Sequence, residues 1–143
     1  FLSVFTVGHP PYSLPWSIAL LAERFPNVKV MMIHMGHGHG VYIDASLKMA
    51  RRYANLYLEM SGMPMHTKIK EAYESVGADR ILFGTDGPFH HPSVEMQKVI
   101  VSGLDEEALQ RYSMTMPKPF SKFLKCSRKF QAILRTMFYH SLF

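Results

Sequence analysis

Apolar and polar positions follow two rhythms along this chain, and the switches between them mark out the elements. Residues 2–7 form a short, β-rich apolar run closed by Gly8-His9-Pro10-Pro11, where prolines cannot donate to a sheet ladder. From Ser13-Leu14-Pro15 onward, Trp16, Ala19, Leu20 and Phe25 recur at helical intervals until Pro26 stops the segment. Residues 28–33 (VKVMMI) are mostly apolar on both faces, as in a strand covered from two sides, and run into the glycine-rich loop 34–40. Residues 44–53 have helical spacing with Arg51 and Arg52 at the end that suits the helix dipole. A third strand is predicted over 55–60 (NLYLEM), broken by Ser61-Gly62-Met63-Pro64, and a helix over 66–76, stopped by Gly77. A fourth strand, 80–84 (RILFG), ends in Thr85-Asp86-Gly87-Pro88, and helices over 93–100 and 105–111 follow. Strand and helix alternate four times with compact links, which predicts right-handed β/α units on a parallel sheet. The methionines Met31, Met32, Met49 and Met60 read as core filling.

Composition narrows the class. Hydrophobic types make up 48% and charged types 19% of 143 residues, a globular mixture that excludes wholesale disorder and low-complexity fibres. No uncharged apolar run approaches the ~18 residues of a membrane span. A lone cysteine, Cys126, excludes an internal disulfide framework and a Cys-rich zinc module, and points to a reducing, cytoplasmic setting. The chain opens on Phe1 with no charged leader, so its start reads as a continuation from an earlier segment and not as a signal peptide. The net charge of +5 is uneven: residues 1–116 hold ten Lys/Arg against all eleven Asp/Glu, whereas residues 117–143 hold six Lys/Arg and no acid. A neutral body argues against nucleic acid, whose binders carry a positive stripe on the folded part.

In parallel α/β architectures the chemistry gathers at the carboxyl ends of the strands. The residues there are His9, then His34 with His37 and His39, then Ser61, then Asp86. Imidazole nitrogen and carboxylate oxygen are the usual donors to a catalytic zinc or similar divalent ion, whose charge brings a bound water's pKa down to about 7. A carboxylate such as Asp86 can both grip the cation and carry the proton. Bland readings stand beside these. A loop histidine is commonly a surface or packing residue, and Asp86 in Thr-Asp-Gly-Pro suits a turn cap. His37 and His39 read as lining an entrance, and His90-His91 as facing solvent or a substrate mouth.

Four segments carry a resemblance. Glu23-Arg24-Phe25-Pro26-Asn27-Val28, Ile33-His34-Met35-Gly36, Asn55 through Gly62, and Gly77-Ala78-Asp79-Arg80-Ile81-Leu82-Phe83-Gly84-Thr85-Asp86 occur in the order of the amidohydrolase-related family. The last is the most specific. The chain resembles the second half of that family's (β/α)8 barrel over about residues 1–112, which implies an α/β fold of four parallel β/α units. The resemblance puts the eighth-strand aspartate, metal ligand and proton shuttle, on Asp86. It puts the sixth-strand histidine, a second ligand or a substrate-polarising group, on His34. The fifth-strand metal histidine of the form His-x-Gly falls on Thr6, so either His9, across Gly8, takes its place or that ligand is absent. The implied metal set is therefore His9, His34 and Asp86, with His34 and Asp86 catalytic and zinc the expected ion. The first-strand His-x-His pair belongs to a half this chain does not contain, and His37-Gly38-His39, after a different strand, does not replace it.

The likeness ends near Tyr112, where the charge also changes, so the expected division is a half-barrel domain over 1–112 and a divergent basic tail over 113–143. Phe120, Phe123, Leu124, Phe130, Ile133, Leu134, Met137 and Phe138 follow helical spacing, which reads as an amphipathic helix on the body, a membrane-surface helix, or the product of a shifted frame or alternative ending. The implied function is metal-dependent hydrolysis of a small carbonyl or ester-like substrate. Non-oxidative decarboxylation of a small carboxylic acid by a lyase, or a non-catalytic interaction module, are the alternatives. Half a barrel leaves sheet edges open, which predicts little activity alone and pairing with a second copy.

Overall fold

The computed structural model describes residues 2–115 and forms one parallel sheet in the order β1-β2-β3-β4. The strands are β1 (Leu2–Thr6), β2 (Lys29–Ile33), β3 (Leu56–Glu59) and β4 (Ile81–Leu82). Helices α1 (Pro15–Arg24), α2 (Gly40–Arg52) and α3 (Thr67–Val76) connect them, and α4 (Pro92–Ile100) and α5 (Glu106–Thr115) follow. The expected four parallel β/α units are present. The reading of residues 117–143 as an amphipathic helix lies outside the described residues.

Each helix buries the stripe that its spacing announces. Ile18, Ala19 and Ala22 of α1, Ile43, Leu47 and Ala50 of α2, and Ile69 and Ala72 of α3 join Val30 and Met32 of β2 and Leu56 and Leu58 of β3 in one core. A fully buried Leu or Ile of this kind contributes roughly 1.5–3 kcal/mol relative to exposure. Of the four methionines read as filling, Met32 and Met60 are fully buried and Met31 and Met49 partly so; Met35, Met63 and Met96 are fully buried as well. Among the described residues no helix is long and apolar enough to cross a membrane.

Two side chains lock helix ends to strands. Asn55 Nδ2 donates to the carbonyls of Ala22, Phe25 and Val28, at 3.0, 3.1 and 2.9 Å, where α1 gives way to β2. Arg80 Nη1 donates to Ala50 and Tyr53 at the end of α2, at 2.8 and 3.2 Å, and Nε to Val76 at the end of α3, at 3.2 Å. Both satisfy carbonyls that a helix terminus leaves orphaned.

Two boundaries differ from expectation. Helix α2 starts at Gly40 instead of residue 44, because Tyr42 N and Ile43 N both bond to the His39 carbonyl, at 2.9 and 3.0 Å, and close an earlier turn. Strand β4 has two residues instead of five. Arg80 sits in the 3-10 turn Ala78–Arg80 with its side chain committed to helix ends, and the register with β3 ends at Glu59↔Leu82.

Candidate functional site

The carboxyl ends of the strands form one rim, and the backbone bends sharply there. Ile33 is still extended, but His34 and Met35 take left-handed φ values of 65° and 47° within the turn His34–Gly36. Asp86, after β4, is also left-handed, with φ 47°. Such a conformation costs a non-glycine residue of order 1–3 kcal/mol and persists only when its surroundings enforce it. Gly8 permits the close approach of the loops after β1 and β2: a Cβ there would run into the Gly36 carbonyl.

His34 is buried and held on two sides. Its backbone N–H donates to Glu59 Oε2 at 3.2 Å, and its Nδ1 lies 2.7 Å from the Ser61 carbonyl. A carbonyl can only accept, so Nδ1 carries the proton and, in the neutral ring, Nε2 keeps the lone pair. Ser61 is fixed in turn by Glu59: its N–H donates to Oε1 and its hydroxyl to Oε2, each at 2.8 Å. Glu59 is thus a buried carboxylate with three donors, the satisfaction that burial of such a group demands. Glu59 falls within the strand predicted over 55–60 and is not among the candidate site residues of the sequence. Its signal is a carboxylate ending an apolar strand, with a glycine opposite: a Cβ on Gly84 would collide with the Glu59 carboxylate.

The loop after β2 folds His37 back between two other imidazoles. Ring centroids of His9 and His37 are 4.6 Å apart, and those of His34 and His37 are 5.5 Å apart. Burial, first, and then the imidazoles of His9, His34 and His39 push the His37 pKa down, while Asp86 pulls it the other way. Asp86 therefore lies within electrostatic reach of His37. His37 stands between His9 and His34, whereas His39 stands at the start of α2 in edge contact with Tyr42, 5.4 Å between centroids. His9 is exposed, and its backbone is tied to Ser13. Thr6 closes β1 opposite Ile33 and is exposed.

The donor chemistry at the rim, imidazole nitrogen and carboxylate oxygen, fits a divalent ion of the zinc type. Among the described residues, however, no three His, Cys, Asp or Glu side chains are arranged around one ion. His9, His34 and Asp86 share a rim but do not form a closed ligand shell. The His90-His91 pair divides. His91 accepts from Ser93 N at 3.2 Å and caps α4, and His90 turns its Nε2 to within 3.9 Å of Asp86 Oδ2.

A family profile described as Amidohydrolase matches residues 9–112. Curated proteins give no match. Among solved structures, an amidohydrolase 2 protein from Bifidobacterium longum subsp. infantis is 16% identical with a TM-score of 0.50, over 78% of this chain and 48% of that one. A 5-carboxyvanillate decarboxylase from Sphingomonas paucimobilis is 20% identical with a TM-score of 0.45, over 64% of this chain and 32% of that one. A dihydroxybenzoic acid decarboxylase from Polaromonas sp. JS666, with bound manganese and the inhibitor 2-nitroresorcinol, is 20% identical with a TM-score of 0.48, over 81% and 42%. At such identities the likeness to the Bifidobacterium protein is one of fold. The chain spans less than half the length of each of these structures, and its four β/α units correspond to part of a TIM-like barrel.

Proposed function

The chain belongs to the amidohydrolase family, and on that premise we propose that its rim is part of a divalent-metal hydrolytic centre acting on a small carbonyl or ester-like substrate. The observation that carries this reading is that His34, directly after β2, and Asp86, in the loop after β4, are both bent into left-handed backbone on the carboxyl side of the sheet, with His37 5.5 Å from the His34 ring. His34 and Asp86, with His9 as the third donor, would hold the ion, and zinc is the choice that nitrogen and oxygen donors favour. When bound, the ion supplies Lewis acidity that makes water a nucleophile near neutral pH.

The remaining work falls to the chain's own groups. The Asp86 carboxylate accepts the proton that water gives up on attack and returns it to the leaving group. His34, with Nδ1 engaged by Ser61, presents Nε2 as its working nitrogen. Glu59 touches no substrate in this scheme; it positions the His34 backbone and Ser61. The substrate is a small molecule, and a single cysteine is in keeping with a cytoplasmic setting. Because the chain spans less than half of the structures it resembles, turnover is assigned to the complete barrel, and little is expected of the chain alone.

Titration of the purified chain with zinc tests the assignment. One weakly held ion per chain is expected, with at least about a tenfold loss of affinity, or about 1.4 kcal/mol, for Asp86→Ala. Absence of binding, or binding indifferent to Asp86→Ala, would return the chain to the non-catalytic module. In a complete barrel carrying this segment, a screen that tracks released carbon dioxide separates hydrolysis from decarboxylation at the same centre.

A further inference from the structure

His90, Glu95 and Lys98 form a second polar assembly behind the rim, and the scheme above gives it no task. The turn after Asp86, with Phe89 N and His90 N both directed to the Asp86 carbonyl at 2.9 and 3.4 Å, brings His90 back over the aspartate. Its Nε2 lies 3.9 Å from Asp86 Oδ2. That atom also stands 3.7 Å from where a Cβ on Gly62 would lie, and His34 Nδ1 stands 3.2 Å from the same point. His90 and His34 therefore flank one glycine, on the side where Asp86 sits.

The other nitrogen of His90 meets a buried charge. Nδ1 is 3.2 Å from Oε1 of Glu95, whose side chain is 1% exposed. Lys98 Nζ lies 2.5 Å from Glu95 Oε2 as an ion pair without hydrogen-bond alignment. The same ammonium donates to the carbonyls of Met60 and Met63, at 3.2 and 2.8 Å, in the loop after β3. Burying a carboxylate costs several kcal/mol unless it is paired, and this pair is anchored to the segment that also carries Ser61 and Gly62. An anionic carboxylate only accepts, so a proton on Nδ1 is favoured over a lone pair facing it.

We propose that the Glu95–Lys98 pair is a positioning device that fixes His90 with its proton on Nδ1, so that the Nε2 lone pair faces the space beside Asp86. His90 is then a further polar group of the site, able to accept a hydrogen bond from a hydroxyl or water shared with Asp86. A gap of 3.9 Å between Nε2 and Oδ2 is too long for a direct hydrogen bond and suits a bridging group. This inference rests on reading the Asp86 rim as the functional site.

The test is long-range proton–nitrogen NMR of the full chain labelled with 15N-histidine, without metal, at a pH where imidazole is neutral. The expected spectrum shows His90 protonated on Nδ1 with an unprotonated Nε2, and Glu95→Gln, whose amide can also donate, loses that fixed tautomer. A His90 protonated on Nε2 in the unaltered chain overturns the proposal, and this measurement stands even if Glu95→Gln fails to fold. A tautomer unchanged in a folded Glu95→Gln overturns it too. Manganese titration of the same samples reports separately on the rim. Broadening of His34 and His90 together, lost in Asp86→Ala, supports both readings. Broadening of His34 without His90 overturns the inference alone. No broadening at either ring overturns the reading of the rim and, with it, the role given to His90.

Discussion

His34, Met35, His37 and Asp86 all take the left-handed backbone, and all four lie just past the ends of β2 and β4. Asp tolerates this conformation better than most residues, whereas Met35 is held by full burial and by the turn that His37 N closes onto the His34 carbonyl at 2.7 Å. His34 and Asp86 were legible in the sequence because an imidazole and a carboxylate in the loops at the carboxyl ends of apolar strands stand where parallel α/β folds gather their chemistry. Glu59 was not, because its three donors arrive from the next turn and a neighbouring strand, and no sequence interval announces that convergence. Gly84 offers the sharpest probe. Its neighbour Glu59 would have to leave its donors to admit a methyl group, so Gly84→Ala should destabilise the fold by about 1–3 kcal/mol, the cost of unsatisfied buried polar groups. Urea denaturation checks this, and a midpoint equal to that of the unaltered chain would show that Glu59 can relocate freely. A double-mutant cycle with Glu59→Gln should be non-additive, since both changes act on one network.

At the scale of elements, hydrophobic rhythm located the four strands and five α-helices of the described residues, because nearly all of them bury one stripe or face in the shared core, the edge strand β1 contributing only the partly buried Phe5. The ends were less legible. Where a helix starts or a strand stops depends on which carbonyl finds a donor, and those donors come from distant sequence. Arg80 shows this: it stands 24 to 30 residues from the carbonyls of Leu56, Tyr53 and Ala50 that it meets. Arg80 and Asn55, which helped to carry the family resemblance, are thus structural clasps, while the chemistry lies a few residues further on. Arg80→Ala removes a charged donor from the ends of α2 and α3 and leaves partly buried carbonyls unpaired. The expected loss is roughly 1.5–3 kcal/mol, or a fall in Tm of several degrees for a domain of this size. Arg80→Lys should recover only part of it, because an ammonium lacks the planar fork that spans separate acceptors. Full recovery by lysine would mean that charge alone, and not the fork, holds the helix ends.

At the scale of the described residues as a whole, the sheet is open where a barrel's is closed: it has two ends. Among the described residues β1 pairs only with β2, and β4 only with β3, so each outer strand leaves a row of backbone donors and acceptors without a strand partner. At the β1 end, Leu2 and Val4 are half exposed, and Trp16, Leu20 and Phe25 of the adjoining α1 segment are exposed as well. An open strand flanked by uncovered apolar side chains is a template for pairing, and the unit available to every copy in solution is a second copy. The purified chain should therefore bind a hydrophobe-sensing dye in its folded state and show concentration-dependent mass in sedimentation velocity. Val4→Lys, which places a charge on the exposed edge strand, should reduce both signals while leaving the core untouched, because Val4 lies outside it. A monomer across the concentration range that binds no dye would mean that the edges are already covered. The assembly would then be closed within a single chain, and the case for turnover requiring another half would have to be rebuilt from the rim alone.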